Sequence, residues 1–374
     1  MKSRQEQRLV ILDAHALIHR SYHAMPSFTS PSGEPMGAVY GVATVLLKLL
    51  RDLEPTHIVA AFDREEPTFR HVAYENYKAT RQETKSELVP QLDKTKELFR
   101  AFNVPVLEAP GFEADDIIGT LVERFKKEKT LSIIIASGDM DTLQLVDGAR
   151  VQVYTLRKGI DDTILYDEAK VIERFSFSPE RIIDYKGLKG DPSDNIIGVK
   201  GIGEKTATEL INEYGSIEDM YRRLKKEKKH PAWLKDRIRT LLLENEEEAL
   251  FSKELATIRK DAPAEATLES LHYKGIPVEA VMRAFREFNF PSLISRLPKQ
   301  ASLLGGVVPT TISVALTSDV LKKAPAGVLS YIFQDDEKVM LVLEGKEYEV
   351  AQEMCEEVRD FFVTKKIRVV ADDA

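Results

Sequence analysis

The chain has 374 residues, a formal net charge of −8, 43% apolar and 30% charged residues, and one cysteine, Cys355. That length exceeds one ordinary core and predicts two or three domains. A single cysteine excludes an intrachain disulfide framework and fits a reducing compartment. The apolar run after the charged start "MKSRQEQR" is short and broken by Asp13. Neither a signal peptide nor a membrane span is therefore expected, and the cytoplasm is the expected location. The acidic balance argues mildly against a nucleic-acid partner, but net charge averages over a surface on which local patches decide binding.

The first half alternates strand and helix signals. "RLVILDA" reads as a buried strand, "GAVYGVATVLLKLLRDL" as a helix and "HIVAAFD" as a second strand. A polar stretch over about 64–90 precedes the helical "LDKTKELFRAFN", the short strand "VPVLEA", the helix "EADDIIGTLVERFKKE" and the strand "LSIIIASGD". Apolar strands between helices predict an α/β fold with a mostly parallel central sheet covered on both faces. From about 170 the strand signals stop, and four helical segments follow, from "SPERIIDYKGLKGD" to "RIRTLLLENEEEALFSKELATI". "RLPKQASLLGGVVPTT" reads as a linker. Beyond it, "GVLSYIF", "KVMLVLEGKEYEV", a helix near "AQEMCEEVRDFF" and the strand "IRVVADDA" read as the opening of another α/β domain. The predicted boundaries are an α/β core over 1–172, a helical part over 173–295, a linker over 296–312 and a partial domain over 313–374.

Acids recur where strands end. Asp13 closes the first strand and Asp63 the second. Glu113, Asp115 and Asp116 follow the third, Asp139 and Asp141 the fourth, and Asp191 and Asp194 open the helical part. One strand-end Asp is commonly a turn or cap residue, and acids in a first helical turn favour the helix dipole. Strand after strand ending this way points elsewhere, because ligands of open α/β sheets lie beyond the carboxyl ends of the strands. Carboxylates gathered on one rim repel and raise one another's pKa. Hard divalent cations such as Mg²⁺ or Mn²⁺ remove that repulsion. Two of them roughly 3.5–4 Å apart can clamp the oxygens of a phosphoryl transfer.

Other motifs are weaker. His15, His19 and His23, spaced by four, would share a helix face, yet no carboxylate or cysteine completes a zinc site, and packing or phosphate contact fits better. "GVKGIGEKT" lacks the Gly-Lys step of a nucleotide phosphate loop. A tight hairpin between two helices fits it better, either a plain turn or one whose backbone N–H groups hold a phosphate at the start of "EKTATELINEYG". In "NYKATR", Tyr77, Lys78 and Arg81 pair a stacking ring with two cations, which is either a solvated charged loop or a contact for single-stranded nucleic acid. "RRLKKEKK" is a basic run that is either a solvated face or a clamp on duplex DNA.

Taken together, "VILDAHALIHRSYHAMP", "VAAFD", "YENYKATR", "GFEADDIIGTL", "IASGDMDTLQLV" and "YKGLKGDPSDNIIGVKGIGEKTA" resemble the N-terminal 5′-3′ exonuclease domain of bacterial family A DNA polymerases. That domain belongs to the 5′-nuclease, or flap endonuclease, superfamily. The resemblance runs from about residue 8 to about 295. It implies a PIN-like nuclease core followed by a helix–hairpin–helix subdomain. It places Asp13, Asp63, Glu113 and Asp115 at a first metal ion with Asp116 beside them, and Asp139, Asp141, Asp191 and Asp194 at a second. Lys78 and Arg81 match basic residues at the base of a helical arch that meet the scissile phosphate, and Tyr77 begins the arch that a 5′ single strand threads. Arg20, His23 and Arg70 match substrate-contacting positions. Gly198, Gly201 and Gly203, with Lys200, Lys205 and Thr206, match the hairpin that grips duplex DNA, where a K⁺ ion is also implied. The family commonly has Pro where Ile197 and Lys200 stand here.

The implied function is structure-specific 5′-3′ exonuclease or flap-endonuclease hydrolysis of DNA or RNA primers in replication and repair, with two Mg²⁺ or Mn²⁺ ions as cofactors. The implied partners are DNA with a 5′ flap or 5′ end, Okazaki-type primers and a fused or separate polymerase, with the chain a monomer. The segment from about 308 resembles the start of a 3′-5′ exonuclease-like (RNase H-like) domain, degenerate because "GVLSYIFQ" lacks the Asp-x-Glu of an active one. The alternative reading is a non-catalytic duplex-binding module, which would use the hairpin and have no need of the acids. A small-molecule phosphatase would need neither hairpin nor arch.

Overall fold

The computed structural model describes residues 7–25, 28–30, 32–81, 84–156, 162–226 and 231–298, and four strands within 314–350. It divides into two compact units, Met1–Pro298 and Lys299–Ala374.

In the first unit the chain runs β1 (Gln7–Asp13), α1 (Ala14–Ala24), α2 (Gly37–Leu53), β2 (His57–Ala61), α3 (Phe69–Ala73), α4 (Val89–Ala101), β3 (Val106–Leu107), α5 (Ala114–Phe125) and β4 (Leu131–Ala136). β5 (Val151–Leu156), β6 (Thr163–Tyr166) and α6 (Glu168–Phe175) follow. The helices α7 (Ile182–Lys189), α8 (Glu204–Tyr214), α9 (Ile217–Lys226), α10 (Asp236–Glu244), α11 (Glu246–Ala256), α12 (Val278–Glu287) and α13 (Pro291–Ile294) complete the unit.

One six-stranded sheet has the order β3-β2-β1-β4-β5-β6. Its pairs are parallel except β5–β6. The chain builds outward from β1 through β2 to β3, then crosses to β4 and builds the other way. The reversal between β1 and β4 is the switch point at which open α/β sheets place ligands. Strand alternation supplies both faces: Leu9, Ile11, Val59, Ile133 and Ile135 enter one core, and Val10, Leu12, Ile58 and Ile134 the other.

The helical part does not form a core of its own. Leu188, Leu210, Ile217 and Leu242 join the sheet's first core with Ile117 and Leu121 of α5. Val281 and Phe285 of α12 and Phe290, just before α13, return to the second core and pack with α2 and α4. Sequence reading did not single out β5 and β6, in which the half-buried Gln152 and Thr163 interrupt the apolar pattern.

In the second unit, β7 (Val314–Ala315), β8 (Ile332–Asp335), β9 (Lys338–Leu343) and β10 (Lys346–Val350) form a sheet in the order β7-β10-β9-β8. The expected helix at 351–362, the strand at 367–374 and most of the linker lie outside the described residues. Among the described residues no helix is long and apolar enough to cross a membrane.

Candidate metal centre and nucleic-acid interface

The acids meet beyond the carboxyl ends of β1, β2 and β4, and local backbone geometry aims them. Asp13 ends β1 and caps α1: its Oδ1 accepts the Ala16 N–H at 3.0 Å, while Oδ2 accepts the Ser137 hydroxyl at 2.6 Å. Ser137 in turn accepts the Asp139 N–H at 2.9 Å, tying the ends of β1 and β4 together. Asp139 Oδ1 accepts the Asp141 N–H at 2.9 Å. Asp63 Oδ1 accepts the Ala114 N–H at 2.6 Å, which joins the end of β2 to the start of α5. Burial pushes the His15 imidazole down, and its Nδ1 accepts the Asp63 N–H at 3.1 Å. His15 is thus a packing partner of the rim, against the edge of Phe62.

Electrostatically the rim is one cluster. Burial pushes Asp13 up to about 7, with Asp63 and Asp139 adding repulsion. Burial likewise pushes Asp141 up to about 7, against the pull of Lys186. Asp115 lies well above the carboxylate range through burial and the nearby charges of Asp139, Asp13, Asp141 and Glu113. All the donors are hard oxygens, the set that Mg²⁺ and Mn²⁺ prefer. Among the described residues, no group of three acid, His or Cys side chains stands ready to hold a metal ion. Several carboxylates are drawn instead to protein cations.

Those cations correct three expectations. Asp116 is fully buried and has no free lone pair for a metal ion. Arg70 grips both its oxygens at 2.8 Å, and the Glu113 and Arg259 N–H groups add bonds of 3.0 and 2.8 Å. It is the counter-ion of Arg70. Arg70, 3% exposed, commits its remaining donors to Glu113 at 3.1 Å and to the Leu255 and Thr257 carbonyls at 2.9 and 2.8 Å, so it does not reach a substrate. The Tyr77 ring is also buried, and its hydroxyl lies 3.1 Å from both Glu113 Oε2 and Asp194 Oδ2. It offers no stacking face.

Lys78 and Arg81 do reach the rim. Lys78 Nζ donates to Glu113 Oε1 at 2.6 Å, and Arg81 pairs with Asp194. Lys78 has a left-handed backbone, φ 55°, and its N–H donates to the Asp194 carbonyl at 3.0 Å. The stretch expected as a helical arch holds the short α3 and a run of turns, whose base is pinned by Asn195 Nδ2 on the Asn76 carbonyl at 2.7 Å. His23 is exposed on α1 and Arg20 half-buried.

One functional candidate escaped sequence reading. Lys186, near the end of α7, donates to Asp141 Oδ1 and, at 2.5 Å, to Asp191 Oδ2. Burial works against its charge, but the two carboxylates outweigh burial and hold it above the ordinary lysine value. Ser193 holds the other Asp191 oxygen through its N–H at 2.9 Å and its hydroxyl at 2.6 Å. The available signal was a lysine one helical turn and a glycine before Asp191 in "YKGLKGD".

The hairpin between α7 and α8 is built from backbone. Gly190 and Gly198, φ 79° and 65°, lie against each other, and a Cβ on Gly198 would stand 2.2 Å from the Gly190 nitrogen. Gly198 is buried and its N–H donates to Ser252 Oγ at 3.0 Å, so it shapes the hairpin without facing a ligand. Lys200, Gly201, Gly203 and Lys205 are exposed and Thr206 half-exposed. Gly203 precedes α8 without a side-chain cap, leaving the first-turn N–H groups to outside partners.

Two family descriptions match consecutive parts of the chain: the 5′-3′ exonuclease N-terminal resolvase-like domain over residues 8–176, and the 5′-3′ exonuclease C-terminal SAM fold over 177–279. DNA polymerase I of Bacillus caldotenax is 39% identical over 297 residues, covering 79% of this chain and 33% of that protein. DNA polymerase I of Bacillus subtilis strain 168 is 37% identical over 334 residues, covering 88% of this chain and 37% of that protein. The chain thus spans about a third of the length of these curated relatives. The fold resembles that of T5 5′-exonuclease with divalent zinc ions bound, with TM-score 0.55 and 22% identity over 67% of this chain and 89% of that one. It also resembles the catalytic core of Rad2 in complex with DNA substrate, with TM-score 0.50 and 18% identity over 78% and 91%. With both halves of the family matched in order over residues 8–279, the chain belongs to the 5′-3′ exonuclease family.

Proposed function

We propose that this chain hydrolyses phosphodiester bonds near the 5′ end or 5′-flap junction of DNA, or of an Okazaki-type RNA/DNA primer, in a divalent-metal-dependent reaction. The observation that carries the reading is the acid rim gathered at the β1/β4 switch point, where the Asp13–Ser137–Asp139 bonds tie the strand ends together and where burial and neighbouring carboxylates hold Asp13, Asp115 and Asp141 above the carboxylate range. Such a rim is costly unless cations relieve it. Two Mg²⁺ or Mn²⁺ ions, one toward Asp13, Asp63, Glu113 and Asp115 and one toward Asp139, Asp141, Asp191 and Asp194, would activate a water and neutralise charge on the phosphate. The zinc ions on T5 5′-exonuclease and the DNA on the Rad2 core agree with this reading of a shared fold.

The chain's own residues do the rest. The bonds from Ala16, Ser137 and Ala114 hold Asp13 and Asp63 in fixed rotamers, so little reorganisation is needed. Lys78 and Arg81, now paired with Glu113 and Asp194, bring positive charge to a substrate phosphate. Arg20 and His23 extend that face along α1. The exposed N–H groups at Gly201 and Gly203, with Lys200, Lys205 and Thr206, hold duplex phosphates and set register, and a K⁺ ion on hairpin carbonyls belongs to the same reading. A polymerase, fused or separate, is the proposed partner, the chain is taken as a monomer of the cytoplasm, and the part from 313 is taken as a degenerate 3′-5′ exonuclease-like opening.

A 5′-flap duplex labelled at its 3′ end, incubated with Mg²⁺ and then with EDTA, tests this. One Mg²⁺-dependent cut near the junction is expected, reduced by at least about 10²-fold in Asp115→Asn, with duplex binding retained. Binding without a cut in either Mg²⁺ or Mn²⁺ would establish the non-catalytic module instead.

A further inference from the structure

The second acid group already contains a cation. Lys186 Nζ donates to Asp141 and to Asp191, from two separate elements, and its side chain is 14% exposed. The backbone beneath it has little freedom: a Cβ on neighbouring Gly187 would meet the Ala249 carbonyl oxygen at 2.9 Å and Lys253 Cβ at 2.8 Å, so α7 lies tight on α11. The four-carbon stem is the adjustable part.

We propose that Lys186 is an internal competitor for the second divalent ion: its ammonium joins Asp141 to Asp191 in the ion-free chain and must withdraw before one ion can use both carboxylates. The inference rests on the two-ion reading above. Its physical basis is charge. An ammonium and a divalent cation cannot share one small space between two carboxylates without strong mutual repulsion. The ammonium therefore lowers second-ion affinity by the free energy needed to break both of its bonds. It also removes part of the repulsion that would otherwise force Asp141 and Asp191 apart. Lys186 is in this sense a positioning residue, keeping the carboxylates at a spacing that an ion can inherit. In the first acid group, by contrast, Lys78 and Arg70 both pair with Glu113, and Asp13, Asp63 and Asp115 have no lysine or arginine partner among the described ion pairs.

The test is calorimetric titration of Mn²⁺ into the DNA-free full chain, comparing wild type, Lys186→Met and Lys186→Arg. Met keeps the stem and removes the charge, whereas Arg keeps the charge. The expected result is two Mn²⁺ sites in each protein, with the weaker one tightened by about tenfold or more in Lys186→Met and not in Lys186→Arg. An unchanged or weakened second site in Lys186→Met, with thermal melting showing a folded chain, would overturn the inference and leave the two-ion reading standing. Fewer than two Mn²⁺ sites in all three proteins would overturn both. If Lys186→Met fails to fold, Lys186→Gln carries the same comparison, and misfolding of both assigns Lys186 to stability and overturns the competitor role.

Discussion

The acid rim and the hairpin meet in the segment after α7, where Asp191 and Asp194 follow Gly190, yet they work by opposite means. The rim is side-chain chemistry: strand ends deliver carboxylates, and capping bonds hold them in mutual repulsion. The hairpin is backbone chemistry: two glycines of positive φ bring main chain onto main chain, and the first N–H groups of α8 are left without a side-chain cap. The rim should therefore respond to charge, pH and metal ions, and the hairpin to the volume of one methyl group. Four perturbations can break or sharpen that contrast.

The largest stability effect is expected from Arg70→Met. It leaves Asp116 and part of Glu113 buried without their cation, which costs about 3–5 kcal/mol. Chemical denaturation measures it, and a loss under about 1 kcal/mol would show that Asp116 finds other partners. Gly198→Ala comes next. Its left-handed backbone alone costs about 1–3 kcal/mol, and the methyl would strike the Gly190 nitrogen. Duplex binding should fall while Mn²⁺ binding at the rim stays unchanged. Equal loss of both would mean that hairpin and rim are not separable.

The third perturbation is pH. Asp13 and Asp141, pushed up to about 7, hold their protons more tightly folded than unfolded. The stability they contribute is complete below the unfolded value of 3.8 and is lost as pH rises through about 7. In EDTA the melting temperature should fall between about pH 5 and about pH 8, and Mg²⁺ at the higher pH should restore it. A flat profile would contradict the repulsive rim. The smallest effect is expected from Lys205→Ala, which should reduce the slope of log affinity for duplex against log salt by about 1 and leave the rim untouched.

Much of the rim was legible because strands have a plain signature. A buried run such as "LVIL" must stop where a charged side chain appears, so Asp13, Asp63 and Asp139 mark both the strand ends and the acid rim. The hairpin was legible for a similar reason, since glycines spaced as 198, 201 and 203 deny both helix and strand. The departures fall where partners are distant in sequence. Sequence reading grouped Asp116 with Asp115 as adjacent acids, but successive helical residues point about 100° apart. One faces the rim and the other faces Arg70, which is 46 residues away. Arg70 and Tyr77 sit in a polar stretch that reads as surface, and only the packing of α3 against the end of α11 buries them.

By itself, then, the sequence determined which side chains would be carboxylates at strand ends and where the backbone would turn sharply. Those are properties of local residue order and period. Which cation answers each carboxylate — Arg70 for Asp116, Lys78 for Glu113, Arg81 for Asp194, Lys186 for Asp141 and Asp191 — was decided only by the tertiary structure. A charge pairs with whatever the fold brings within a few ångströms, and no local rule of the chain records that distance.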